Sequence, residues 1–139
     1  MIILDTNVLS EILHPTPADS VGRWIQAQPS TSLFTTTICE AEIFYGLALM
    51  PVGRRRTRLE LAVTAIFEED FAERILPFDS TAARAFAAIA AQRRGLGRPI
   101  SQLDGQIAAI THSRGATLAT RNVADFVDCG IRVVSPWEE

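Results

Sequence analysis

Five side chains in this sequence have the type and the placement for chemistry: Asp5, Glu42, Asp104, Asn122 and Asp125. Asp5 ends an apolar run, Met1-Ile2-Ile3-Leu4, that reads as a short strand buried on both faces, as in the middle of a parallel sheet. The carboxyl end of such a strand is where open α/β sheets place ligands. Asp5, Thr6 and Asn7 are also good helix caps, so this stretch alone leaves Asp5 equally a cap or a ligand. Glu42 shares the i+3 and i+4 positions of Ile38, Ala41, Tyr45 and Leu49, which predicts a carboxylate facing inward. An inward carboxylate requires a partner or a bound cation. Its neighbour Glu40 needs no such explanation, because Thr37-Ile38-Cys39-Glu40 has the form of a capping box.

Asp104 stands in a second such form, Ser101-Gln102-Leu103-Asp104. A carboxylate at a helix start stays ionised, which suits a cap and a metal ligand alike. Gly105 beside it permits close approach of backbone or ligand. Asn122 and Asp125 follow another strand, at 117–120, and either cap the next turn or face the same sheet edge. Parallel topology gathers such ends at one edge. Oxygen donors without His or Cys select Mg²⁺ or Mn²⁺, and an acidic Mg²⁺ site fits phosphodiester hydrolysis.

The elements that position these groups alternate between strand and helix. Helices are predicted at 8–13, from Thr16 as N-cap with Pro17 and Asp19 in the first turn, from 37 to about 50, at 53–70, from Asp79 to 94 with Gly95 at C′, and at 101–113. Val21, Trp24 and Ile25 give the second helix its inner face. Strands are predicted at 32–36, 74–78, 117–120 and 131–134, with a helical turn at 123–126. This is an α/β chain, a three-layer α/β/α sandwich with four or five parallel strands. No repeat or linker divides it, so residues 1–139 are expected to form one domain.

Composition sets the outer limits. The net charge is −3 and all 13 basic residues are Arg, which excludes Schiff-base and P-loop chemistry. An acidic chain needs local Arg clusters or bound metal to meet a polyanion. Arg54, Arg55, Arg56 and Arg58 form one cluster, readable as a solvated face or as a contact for RNA or an acidic partner; Arg98 and Arg121 are further candidates. Cys39 and Cys129 fit no metal or redox spacing and are expected to be reduced thiols. His14 and His112 have no ligand-like spacing. With no leader signature and no membrane-length apolar run, the expected location is cytoplasmic.

Four motifs, taken in order, resemble those of PIN-domain ribonucleases, in particular the VapC and FitB toxins of bacterial type II toxin–antitoxin pairs. They are Ile3-Leu4-Asp5-Thr6-Asn7-Val8-Leu9-Ser10, Ala41-Glu42-Ile43-Phe44-Tyr45-Gly46, Asp104-Gly105-Gln106-Ile107-Ala108-Ala109 and Ala119-Thr120-Arg121-Asn122-Val123-Ala124-Asp125-Phe126. The resemblance implies a metal-dependent endoribonuclease toxin, with Asp5, Glu42 and Asp104 binding Mg²⁺ or Mn²⁺. It also implies homodimerisation and inhibition by a small DNA-binding antitoxin. Asn122 stands where many relatives have a further acid, and it brings a carbonyl but no charge. Thr6 and Thr120 become supporting partners, and Asp125 compensates only if it reaches the site. Two rival readings are a partner-binding domain with an incomplete metal site and an aspartyl-phosphate domain. The second normally uses a Lys, which this chain lacks.

Overall fold

The computed structural model describes residues 1–138. The first apolar run is strand β1 (Ile2–Leu4), with Ile3 and Leu4 wholly buried. After α1 (Thr6–Leu13) and α2 (Asp19–Gln26) come β2 (Leu33–Thr36), α3 (Thr37–Ala48) and α4 (Arg54–Ala65). The last runs on as a π-helical turn, Ile66–Asp70. Then follow β3 (Ile75–Leu76), α5 (Ser80–Gly95), α6 (Gln102–Ser113), β4 (Thr117–Ala119), a 3₁₀ turn Val123–Phe126 and β5 (Arg132–Val134).

All strand pairs are parallel, in the order β3-β2-β1-β4-β5. The chain first winds outward from β1 through β2 to β3, then returns to the other side of β1 with β4 and β5. The winding direction therefore reverses between β1 and β4, where Ile3 pairs with Leu118 and Leu4 with Ala119. A reversal of this kind opens a crevice at the carboxyl ends of the two strands. Helices cover both faces in a three-layer α/β/α sandwich. The core joins Ile3 and Leu4 to Ile107, Ile110 and Leu118, all wholly buried.

Several local expectations shift. Helix α1 begins at Thr6 because Asp5 is its N-cap. Helix α2 begins at Asp19 with no side-chain cap. Neither Thr16 nor Pro17 starts it: Ala18 is still non-helical, at ψ 136°, and its N–H donates to the Glu11 carboxylate at 2.8 Å. The N-cap of α3 is Thr36, whose hydroxyl accepts from the Cys39 N–H at 3.1 Å, so Glu40 is not the capping-box partner. Gly95 is the last residue of α5, and Gly97, at φ +75°, takes the left-handed position. The bonds Gly97 N–H to Arg94 and Arg98 N–H to Arg93, both 3.0 Å, close a Schellman motif there.

Gly105 has a packing reason. A Cβ on it would lie 2.8 Å from Phe86 Cε2 and 3.3 Å from Ile100 Cγ2, so this glycine lets α6 seat against α5. Gly105→Ala sets an overpacking cost of about 1–3 kcal/mol against a helix-propensity gain of about 1 kcal/mol. A net loss is expected, read as a lower urea midpoint. An unchanged midpoint would show that the Phe86 ring swings aside freely.

Candidate metal centre at the sheet edge

Asp5 hangs from the end of β1, its own N–H donating to the Ala119 carbonyl of β4 at 2.9 Å. It is buried, at 5% exposure, and both carboxylate oxygens are engaged. Oδ1 accepts the Thr6 N–H at 2.8 Å, and Oδ2 accepts the Thr120 hydroxyl at 2.8 Å and the Asn7 amide at 3.4 Å. The Thr120 hydroxyl in turn accepts from the Asn122 N–H at 3.1 Å and from Asn7 Nδ2 at 3.2 Å. That uses its donor and both lone pairs. Asn7 Oδ1 accepts the Arg121 N–H at 3.1 Å. Asn7 and Thr120 thus stitch the β1–α1 connection to the segment after β4. The capping and site-facing readings of Asp5 coexist in one side chain.

Glu42, on α3, is half-buried, and its Oε1 accepts the Thr6 hydroxyl at 3.0 Å. It does not share a buried stripe with Ala41, Tyr45 and Leu49, which are exposed; the inner face is Cys39, Ile43 and Leu47. Glu42 lies beside that face, where α3 meets α1. Asp104 is half-buried in the first turn of α6, its N–H capped by Ser101 Oγ at 3.2 Å.

These side chains share a cavity of about 480 Å³ at the crevice between β1 and β4. Asp5, Glu42, Asp104, Asn122, Thr6 and Arg121 are all on its wall. Asn122 is exposed and does not cap the 3₁₀ turn. Thr120 lies buried behind Asp5. Asp125 is exposed and off the wall, reaching the site only through its charge. Of the Arg cluster, Arg55 lines an adjoining groove that shares Thr6, Ser10, His14 and Glu42 with the cavity. Arg54 and Arg58 are exposed, while Arg56 pairs with Glu60 and donates to the Met50 carbonyl. Arg98 pairs with Asp128.

The electrostatics favour a cation. Burial pushes the Asp5 carboxyl above its ordinary range, against hydrogen bonds from Thr120 and Thr6, and the negative charges of Asp104 and Asp125 push it further. Glu42 is raised by desolvation, with the Thr6 bond opposing and Asp5 and Asp104 adding. Asp104 is raised the same way, its Ser101 bond and the Arg93 charge opposing and Asp125 adding. Three carboxylates that resist ionisation around one cavity form a site short of positive charge. Among the described residues, no three His, Cys, Asp or Glu side chains stand close enough to enclose an ion by themselves. Mg²⁺ does not need that: one or two carboxylates and several waters suffice. The all-oxygen donor set fits Mg²⁺ or Mn²⁺.

Asn7, Ser10, His14 and Trp137 also line this cavity, and none was a candidate from sequence. For Asn7 the signal was present in the Asp-Thr-Asn run, read only as capping. His14 and Trp137 lie in turns whose direction no periodicity reports.

The chain matches the PIN domain family model over residues 2–128. It is 40% identical over 138 residues to "VapC ribonuclease Y4jK" of Sinorhizobium fredii, covering 99% of each chain. It is 35% identical over 143 residues to "Toxin FitB" of Neisseria gonorrhoeae, covering both in full. The fold superposes on the crystal structure of FitAcB from Neisseria gonorrhoeae with a TM-score of 0.94 at 34% identity, again over 100% of each chain. The same TM-score holds for FitAB bound to an IR36 DNA fragment, covering 100% of this chain and 97% of that one. By its four motifs, its sheet order and these relatives, the chain belongs to the PIN domain family and is VapC- and FitB-like.

Proposed function

We propose that this protein is a Mg²⁺- or Mn²⁺-dependent endoribonuclease, the toxin of a toxin–antitoxin pair, hydrolysing RNA phosphodiester bonds. The observation that carries the reading is the convergence of Asp5, Glu42 and Asp104, all held above the ordinary carboxylate range, on one cavity of a PIN domain. The relatives named as a ribonuclease and a toxin support it, and the FitAcB and FitAB structures support a partner antitoxin that binds DNA. A homodimer of the chain, with its antitoxin, is the proposed assembly.

Asp5 and Asp104 would hold the metal, with Glu42 as a third ligand or the group that orients attacking water. A divalent ion bound there supplies Lewis-acid stabilisation of phosphate charge and lowers the pKa of water. Thr120 and Thr6 fix the rotamers of Asp5 and Glu42 through the bonds already described, so both carboxylates are set before substrate arrives. Glu42 is the more accessible of the two and the better placed to exchange a proton with solvent. Asn122 adds a neutral carbonyl or amide to the wall. Arg121 lines the cavity and Arg55 its adjoining groove.

The exposed, uncharged Asn122 favours a second reading, a partner-binding protein with an incomplete metal site. Titrating Mn²⁺ against thermal unfolding, with RNA cleavage followed in parallel, separates the two. At about 100-fold excess over its dissociation constant, a bound ion stabilises the fold by about 2.7 kcal/mol. That shift should shrink as pH falls and the three carboxylates take up protons. No metal-dependent shift and no cleavage would leave the partner-binding reading.

A further inference from the structure

One pair on the cavity wall takes no part in holding a metal. Trp137 and Arg121 line the same cavity as the three carboxylates. The Arg121 guanidinium carbon lies 5.1 Å from the centroid of the Trp137 ring. The two residues come from neighbouring strand ends, since Arg121 follows β4 and Trp137 follows β5, and Ala119 pairs with Val134. Each is held by its backbone. The Arg121 N–H donates to Asn7 Oδ1 at 3.1 Å and the Trp137 N–H to Ser135 Oγ at 3.3 Å. The Glu138 N–H closes the turn on the Ser135 carbonyl at 3.2 Å, and Pro136 is buried.

The Trp137 indole packs against the edge of the core and leaves its remaining surface on a polar wall with four acids, Asp5, Glu11, Glu42 and Asp104. The cavity is larger than an ion needs, since six waters at about 30 Å³ each occupy roughly 180 Å³ of it. Its 480 Å³ lies in the range of small-ligand pockets. A flat aromatic ring with a guanidinium against it is a surface for another flat, polarisable group. Where the neighbouring chemistry is on a phosphodiester, that group is a nucleobase.

We propose that the Arg121–Trp137 pair is a stacking site for one unpaired base beside the scissile phosphate. The inference rests on the ribonuclease reading and assigns one base of the substrate to a particular pair of side chains. In a duplex the faces of a base are covered by its neighbours; in a loop or single strand they are free to stack on a side chain. Such stacking tolerates any base, so the pair selects for strand state before sequence.

The test uses the whole chain with Mn²⁺ and a short unstructured RNA whose cut site has been mapped. An abasic nucleotide, and separately 2-aminopurine, is placed at each position around the cut. At one position wild-type protein should quench 2-aminopurine, and removing the base there should raise KM about 5- to 150-fold with a smaller change in kcat. Trp137→Ala should show the same KM rise, lose the quench and ignore the abasic site, and Trp137→Phe should restore most of the binding. The abasic series needs no variant, so misfolding of Trp137→Ala cannot imitate the result. Wild-type protein that cuts RNA but is indifferent to every abasic site overturns the stacking proposal and leaves the ribonuclease reading standing. Wild-type protein that cuts no RNA overturns both. Trp137→Ala protein that keeps its RNA affinity but loses a small protein inhibitor overturns the proposal in favour of a protein-contact surface.

Discussion

Asp5→Asn should reduce RNA cleavage by at least about 100-fold, the upper end of what losing a mere supporting partner of a metal ligand costs, while the metal-free protein's stability becomes less dependent on pH. The substitution keeps an oxygen to accept the Thr6 N–H and removes the charge that burial opposes, but its amide nitrogen meets two donors, the Thr120 hydroxyl and the Asn7 amide. The sign of the stability change follows from linkage. The folded chain holds the Asp5 proton to a higher pH than the unfolded chain, whose value is near the ordinary 3.8. Through that interval the folded state carries more protons, so stability falls as pH rises and then levels off above the folded value. The variant lacks this fall. Wild type should therefore lose stability relative to the variant between pH 3.8 and neutrality, with added Mn²⁺ restoring it in wild type alone. Thermal melts across pH, with and without Mn²⁺, check the claim. Full cleavage by a folded Asp5→Asn protein, free of contaminating nuclease, would sink the proposed mechanism.

Arg93→Met should be the most destabilising single change outside the apolar core. Arg93 lies on α5 at 6% exposure. Its Nε donates to the Arg98 carbonyl at 2.7 Å, and one terminal nitrogen donates to the carbonyls of Asp125 at 2.9 Å and Val127 at 3.1 Å. The same nitrogen is 3.5 Å from Cys129 Sγ. One guanidinium thus ties the loop before α6 to the segment that follows the 3₁₀ turn. Methionine fills much of the volume but takes the guanidinium from the Arg98 and Asp125 carbonyls and leaves Val127 only the Cys129 thiol at 3.7 Å, at about 1–3 kcal/mol for each carbonyl that stays buried and unpaired. A loss of about 3 kcal/mol or more is expected in urea unfolding. Lysine should recover only part, because an ammonium on one stem cannot span the Arg98 carbonyl and the 125–127 segment together. An unaltered midpoint in Arg93→Met would refute this role.

Much of the fold was readable because the strands are short and, apart from β5, each is followed by a helix or a helical turn. The parallel sheet, the β1 position of Asp5 and the Ser101 cap all follow from such local signals. Caps were the weak point wherever two candidates adjoin. Thr36 and Thr37 both have the required hydroxyl, and α3 starts one residue earlier than the box implied, with Thr36 both ending β2 and capping the helix. Glu42 shows a different limit. Helix α3 carries apolar residues nearly all round, with Tyr45 and Leu49 exposed, so its periodicity does not reveal which side faces in. The Arg93 network was invisible for another reason: its partners are backbone carbonyls of loops, and carbonyls have no sequence signature.

The hydrogen bond from Thr120 to Asp5 spans 115 positions, and β1 rests in the centre of the sheet against a strand made almost last. A chain synthesised from its N-terminus therefore carries Asp5 from the outset but has nothing to clamp it until β4 emerges. Closing so long a loop costs more chain entropy than a local contact does, and the centre cannot be completed before β4 is present. Fragments lacking the last strands hold the first acid and no organised site. For the proposed nuclease, the site is therefore organised only once the sheet closes on its own first strand.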